Sequence, residues 1–319
     1  MAAAPFDRRA IPAGSVEGVW QAADGHKIRH IDWPAPPSGV PLRGAMLFMP
    51  GRGDAYEKYL ESLEHWRQQG WQVSAADWRG QGGSGRLGLD AGTGHIDDFA
   101  LWIADLADFW KQWAATKEGP LVLVGHSMGG HLVLRAVIEK VLMPAPDALV
   151  LTAPMLDVFP ELVPLPVKRG FARMMARMGD PRRPAWKISE KPGAKAALRN
   201  TLLTHDEDRY EDEMWWRHER PELELGPGSW GWVKGATESS TALFRRGALE
   251  SVQVPVFIVA TDADRLVSPS AIRSAIARLP RVDALVFGKE ARHEILREVD
   301  EVRDRALAAI DEFLAGVAA

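Results

Sequence analysis

The chain has 319 residues, is 46% hydrophobic and carries a formal net charge of −4. That is enough to bury one large core with an insertion, and it lacks the positive excess that a polyanion partner would call for. There is no cysteine, which excludes disulfides, thiolate metal sites and cysteine nucleophiles. No apolar run approaches the roughly 18 residues of a membrane span. The start, Met1-Ala-Ala-Ala-Pro-Phe-Asp-Arg-Arg9, lacks the apolar stretch of a secretory signal, so a soluble, cytoplasmic protein is expected, at most peripheral at the inner face of a membrane.

In chain order, residues 19–22 and 27–33 read as an opening hairpin around Asp24-Gly25, a favoured tight-turn pair. There follow a strand at 45–49, a helix at 55–69, a strand at 72–76, a helix at 96–115, a strand at 121–124, a helix after Ser127 and a strand at 148–152. From about Met155 to Trp232 no strand-like run occurs, and Pro, Arg, Met, Trp and acidic residues dominate. The alternation resumes with a strand at 256–260, a helix from Pro269, a strand at 284–287 and a final helix from about Glu298. Strands alternating with helices predict an α/β fold with a mostly parallel central sheet flanked by helices. The interruption predicts a helical lid, residues 155–232, inserted after the sixth core strand, with 1–154 and 233–319 forming the core domain. Such an insertion belongs over the carboxyl edge of the sheet, where ligands bind.

Leu121-Val-Leu-Val-Gly-His-Ser127-Met-Gly-Gly130 is an apolar run that ends in Gly-x-Ser-x-Gly. Leu132, Val133, Ala136 and Val137 continue it at helical spacing. Ser127 is therefore expected on a nucleophile elbow, with Gly125 and Gly129 small because the two arms nearly touch. A serine hydroxyl attacks only when a base takes its proton, and a carboxylate must orient that base. In this arrangement the partners follow in the order serine, acid, histidine. The strand at 256–260 leads into Asp262 and Asp264, and the strand at 284–287 leads to His293; spacing alone leaves either aspartate open. Two backbone N–H donors must also face the developing oxyanion. Met128 and Arg52, the latter in the loop Pro50-Gly51-Arg52-Gly53, are expected to supply them, with Asp54 as helix N-cap.

Other features read as structural. His126 is expected to pack beside its strand. Asp77-Trp-Arg-Gly-Gln-Gly-Gly-Ser-Gly85 lacks the Lys-Ser/Thr of a phosphate loop and is expected to be a loop held by Asp77 and Arg79. His26, His30, His65, His95, His131, His205 and His218 show no metal-ligand spacing, so no metal or other cofactor is assigned.

These motifs give the chain a resemblance to the α/β-hydrolases of the monoacylglycerol lipase and bacterial lysophospholipase group. The resemblance is carried by Pro50-Gly51-Arg52 with Tyr56-Glu-Lys-Tyr59, Asp77-Trp-Arg-Gly-Gln-Gly82, Gly94-His95, the elbow, Leu151-Thr-Ala-Pro-Met155, Leu203-Thr-His205 with Arg209-Tyr210, and Arg292-His-Glu-Ile-Leu296. It implies an α/β-hydrolase fold and Asp264 as the acid. The His-Gly common before the oxyanion loop in that group is Pro50-Gly51 here, which removes a supporting side chain.

Residues 167–199 carry a local charge of +8 and residues 205–224 one of −6. Val167, Phe171, Met174, Met175 and Met178 share one helical face, and Arg169, Arg173 and Arg177 line another. A basic amphipathic helix suits an anionic lipid surface. The alternative is a lid helix whose methionine face packs on the core and whose arginines are solvated or pair with the acidic segment. Of the insertion's tryptophans, Trp186, Trp215, Trp216, Trp230 and Trp232, the last two flank its exit. Met155, Phe171, Met174, Trp230 and Trp232 are the expected substrate-binding residues, since pliable apolar side chains accept acyl chains.

The expected activity is serine ester hydrolysis through an acyl-enzyme, on a lysophospholipid or monoacylglycerol. An aminopeptidase or small-ester esterase on the same scaffold is the alternative. A non-catalytic module that binds a lipid surface is a more remote one.

Overall fold

The computed structural model describes residues 6–33, 36–158, 160–186 and 196–317. Eight strands form one sheet: β1 (Val16–Gln21), β2 (Lys27–Trp33), β3 (Gly44–Met49), β4 (Trp71–Ala76), β5 (Leu121–His126), β6 (Ala148–Thr152), β7 (Val256–Thr261) and β8 (Val282–Phe287). Their spatial order is β1-β2-β4-β3-β5-β6-β7-β8, antiparallel at β1-β2-β4 and parallel beyond. The opening hairpin turns at Gly25 with φ +86°, a conformation glycine adopts without steric cost. Every residue of β3, β5, β6 and β7 is buried. These strands are covered on both faces, hence their unbroken apolar runs.

Because side chains alternate across a strand, β3 and β5 feed two cores. Leu47 and Leu123 join Trp102 and Leu132 on one face, while Met46, Phe48 and Val124 join Trp66 and Ile310 on the other. The first face is covered by α2 (Phe99–Ala114), α3 (Met128–Ile138) and α8 (Pro269–Arg278), the second by α1 (Leu60–Gln68) and α9 (Asp300–Ala315).

Between β6 and β7 lie α4 (Leu165–Arg177), α5 (Ala196–Leu203), α6 (Glu207–Glu219) and α7 (Trp230–Leu243). Helix α6 is pinned to the core. Arg209 binds Glu61 of α1 and Asp300 of α9 and donates to the Glu298 carbonyl, and Trp216 is buried beside α1. Helix α7 starts at Ser229, whose hydroxyl caps the Trp232 N–H. It therefore runs through the expected boundary at 232/233, so insertion and core share a helix. A Cβ on Gly235 would stand 2.8 Å from the Phe99 ring, and its absence lets α7 lie against α2.

Two expectations need correction. The helix foreseen at 55–69 divides into a 3₁₀ turn, Tyr56–Tyr59, and α1, and neither uses Asp54 as a side-chain cap. Its carboxylate accepts instead from the Gly51 N–H at 3.2 Å and the Tyr59 hydroxyl at 2.9 Å. Second, the methionine face of α4 does not pack on the core. The buried residues of α4 are Lys168, Ala172 and Ala176, one helical stripe at i, i+4, i+8, whose two alanines let α7 approach. Val167, Phe171, Met174 and Met178 are 59%, 53%, 49% and 61% exposed, and only Met175 of that face is half-buried. Lys168 is held by Asp157 and the Val158 carbonyl, which makes a lysine admissible in that stripe. Among the described residues the charged runs have partners other than each other: Arg173 binds Glu238 and Arg182 binds Asp180, while Asp212 binds Arg8 and Arg9. Lys187, Lys191 and Lys195 lie outside the described residues.

Candidate active site

At the carboxyl end of β5 the chain reverses sharply into α3, and Ser127 takes φ +51°, ψ −117°, a region costly for a non-glycine residue. Neighbouring glycines permit the turn. A Cβ on Gly125 would meet Gly130 N at 2.7 Å, and one on Gly129 would meet the Met49 carbonyl oxygen at 2.3 Å. The strained residue is fixed by its backbone: Ser127 N–H donates to the Thr152 carbonyl at 2.9 Å, and its carbonyl accepts from His131 at 3.0 Å and Met155 at 2.9 Å.

His293 and Asp264 stand on the loops after β8 and β7, at the same sheet edge. His293 Nε2 lies 3.0 Å from Ser127 Oγ, and His293 Nδ1 lies 2.7 Å from Asp264 Oδ2. Asp264 Oδ1 accepts from the N–H groups of Leu266 and Val267 at 2.8 and 3.1 Å. Burial pushes the Asp264 carboxyl up, but His293 and these two donors outweigh it and hold it below its ordinary value. Burial pulls His293 down, yet Asp264, with Glu294 and Asp54 behind it, raises it above 6.5. A carboxylate beside Nδ1 favours the tautomer with the proton there, which leaves Nε2 as the nitrogen able to accept a hydrogen bond from the Ser127 hydroxyl. Asp262, the other candidate, is half exposed and paired with Arg273.

The loop 50–53 lies against this line. A Cβ on Gly51 would come within 3.1 Å of Ser127 Cβ. Trp78 Nε1 donates to the Pro50 carbonyl at 2.8 Å, and Gly53 N–H donates to Gln81 at 2.9 Å. Met128 opens α3, where an N–H has no carbonyl four residues back to bond. The Arg52 guanidinium sits 5.3 Å from the Trp186 ring and 5.2 Å from Trp232, whose indole N–H donates to Met128 Sδ at 3.5 Å.

The expected substrate residues divide. Met155 and Trp232 are buried beside the elbow. Trp230 is half-buried with its ring edge-on to Phe171 at 5.7 Å, and Phe171 and Met174 lie on the exposed stripe of α4.

His126 packs as a structural residue. Its Nδ1 is 3.0 Å from Thr152 Oγ1, its ring is 5.0 Å from that of His293, and burial together with His293 pushes it down to about 4. The Asp77 loop is held as expected: Asp77 accepts from Arg29 and the Gly83 N–H, and Arg79 binds Asp24 and Asp105. Among the described residues no cluster of three histidine, aspartate or glutamate side chains could hold a metal.

What sequence reasoning missed is a buried ionic cluster behind His293. Lys58 Nζ contacts Asp54, Glu294 at 2.6 Å and Glu213 at 3.1 Å, and Arg297 binds Glu213 and Glu294. An acid four residues before a lysine, and a glutamate next to the histidine, were the available signals.

The sequence matches the family described as serine aminopeptidase, S33, over residues 40–300. The chain belongs to this family. This α/β-hydrolase is 27% identical over 323 residues to lysophospholipase L2 of Escherichia coli K12, a match covering 95% of this chain and 91% of the relative. In fold it is similar to a soluble variant of monoglyceride lipase from Saccharomyces cerevisiae, solved with a substrate analog (TM-score 0.75, 18% identity, 99% of both chains). It is also similar to the monoacylglycerol lipase of Paleococcus ferrophilus (TM-score 0.66, 21% identity, 88% of this chain and 96% of that one). No helix among the hydrolase's described residues is long and apolar enough to cross a membrane.

Proposed function

We propose that this hydrolase cleaves the ester of single-chain lipids, a lysophospholipid or monoacylglycerol, through an acyl-enzyme on Ser127. The observation that carries the reading is the unbroken hydrogen-bond line from Asp264 through His293 to Ser127 Oγ. His293 Nε2 takes the hydroxyl proton as Ser127 Oγ attacks the ester carbonyl. The tetrahedral oxyanion is received by the N–H groups of Met128 and Arg52, and Asp264 stabilises the imidazolium. His293 then protonates the departing alcohol, and water, deprotonated by the same imidazole, releases the fatty acid. The substrate class rests on the similarity to lysophospholipase L2, with Met155 and Trp232 as the apolar side chains beside the elbow.

We place a lid in residues 155–232, with α4 as its membrane-facing part. The exposed stripe of Val167, Phe171, Met174 and Met178 on α4, with Arg169, Arg173 and Arg177 alongside, suits contact with an anionic lipid surface. An aminopeptidase would need an acidic anchor for a substrate amine near Ser127. Three acids of the acidic run are already engaged: Asp212 binds Arg8 and Arg9, Glu213 binds Arg217 and Arg297, and Asp206 caps α6.

Turnover is measured on lysophospholipids, monoacylglycerols, short esters and aminoacyl anilides, with Ser127→Ala as control. Long-chain monoesters should turn over fastest, and Ser127→Ala should lower that rate on the order of 10⁴- to 10⁶-fold. Anilide turnover exceeding that of the lipids would give the substrate to the aminopeptidase reading. Activity surviving in Ser127→Ala would end the assignment of the nucleophile.

A further inference from the structure

His293 and the oxyanion loop come from opposite ends of the chain, and a single buried cation touches both neighbourhoods. Lys58, with a side chain 5% exposed, contacts the carboxylate of Asp54 and lies 2.6 Å from that of Glu294. Asp54, through its second oxygen, receives the Gly51 N–H at 3.2 Å and the Tyr59 hydroxyl at 2.9 Å. Gly51 lies so close to Ser127 that an added Cβ would come within 3.1 Å of the serine Cβ, and it precedes Arg52; Glu294 follows His293. The other carboxylate on Lys58 is Glu213 of α6, 3.1 Å away, which also binds Arg297 at 3.0 Å and Arg217 at 2.8 Å. Counted with Asp54, Glu213 and Glu294 against Lys58, Arg217 and Arg297, the cluster is neutral. A buried ion cluster of this kind is a weak source of stability, because desolvation offsets most of the attraction, but it holds geometry tightly.

We propose, resting on the triad reading above, that Lys58 is a positioning residue: by gripping Asp54 and Glu294 together it sets the distance between the oxyanion loop and the His293 loop. The charged and titratable groups around the imidazole are Asp264 from the loop after β7, His126 from β5, Asp54 and Lys58 from the segment after β3, Glu213 from α6, and Glu294 and Arg297 on its own segment. Removing the lysine leaves the carboxylates beside His293 uncompensated, which favours the imidazolium and displaces both loops. Removing Glu294 has the opposite electrostatic sign.

Wild type, Lys58→Met, Glu294→Gln and the paired variant are titrated with a fluorophosphonate to count reactive serines. The kcat and KM for a short soluble ester are then measured per titrated site across pH. Lys58→Met should lower kcat per site on the order of 10- to 100-fold with KM within about threefold, and should move the acid limb of kcat/KM to higher pH. Glu294→Gln should move that limb to lower pH, and the paired variant should bring it back toward wild type. A purely structural lysine would reduce the number of titrated sites and leave per-site kcat and the limb unchanged; that result overturns the proposal. If Lys58→Met yields no folded protein, Glu294→Gln and the paired variant decide, and unchanged per-site kcat and limb in both overturn it equally. Wild type that takes no label at Ser127 refutes the triad reading and this proposal with it, whereas a labelled wild type with unaffected variants refutes this proposal alone.

Discussion

Of the two aspartates that spacing left open, only one faces the imidazole. Asp264 is buried and accepts the hydrogen bond of His293 Nδ1–H, while Asp262 pairs with Arg273 at the surface. Asp264→Asn is therefore expected to lower kcat on the order of 10⁴-fold, by allowing the wrong tautomer, and Asp262→Asn to leave it within about twofold. Steady-state kinetics on one ester compares them directly. Gly51→Ala tests the oxyanion loop. The added methyl meets Asp54 Oδ2 at 2.8 Å and Ser127 Cβ at 3.1 Å, so the loop must retreat from the serine, with kcat falling on the order of 10²-fold. A base that works unprotonated makes kcat/KM rise with pH, and the raised value of His293 should put that limb higher than for an ordinary imidazole.

At the scale of elements, α4 inverts the usual rule for an amphipathic helix. Its packed stripe holds two alanines and a paired lysine, and four of its large apolar residues, Val167, Phe171, Met174 and Met178, face outward. On a protein in water this is a cost unless a lipid surface covers it. Phe171→Ser combined with Met178→Ser is expected to reduce co-sedimentation with vesicles containing phosphatidylglycerol at least about tenfold while leaving turnover of a short soluble ester unchanged. Equal binding by the variant would remove α4 from the contact. Helix α6 behaves differently, because Arg209 and Trp216 tie it to α1 and α9. Helix α4 is tied as well, through Lys168 to Asp157 and through Arg173 to Glu238 of α7, but its outer face is open.

For the molecule as a whole, the buried carboxylates set the response to acid. Burial works against Asp54, but Lys58 and His126 hold it down to about 2, and Lys58 and Arg297 likewise hold Glu294 below its ordinary value. A carboxylate depressed in the folded state adds stability above its unfolded value, and that stability is lost as pH falls through the folded value. The urea midpoint should accordingly drop as pH is lowered from about 4.5 toward 2. Asp77, pushed up to about 6 by burial, has the opposite sign and acts only between about pH 4 and 6. A midpoint flat across the acid range would show that the cluster does not titrate on unfolding as described.

Local pattern was sufficient wherever a property depends on neighbours in sequence. Apolar runs and their spacing predicted the parallel sheet, Gly-x-Ser-x-Gly predicted the elbow, and the order of Asp264 and His293 after their strands placed both at the edge that Ser127 occupies. Steric and periodic rules act over a few residues, so they can be read from a few residues. The tertiary structure decided whatever depends on which surfaces meet. It chose the carboxylate that reaches His293, gave Asp54 to Gly51 and Lys58 instead of a helix cap, and turned the methionine stripe of α4 to the outside. Each is a competition between burial, charge pairing and hydration, and its outcome depends on residues hundreds of positions apart, such as Lys58 and Glu294, that only the folded chain brings into contact.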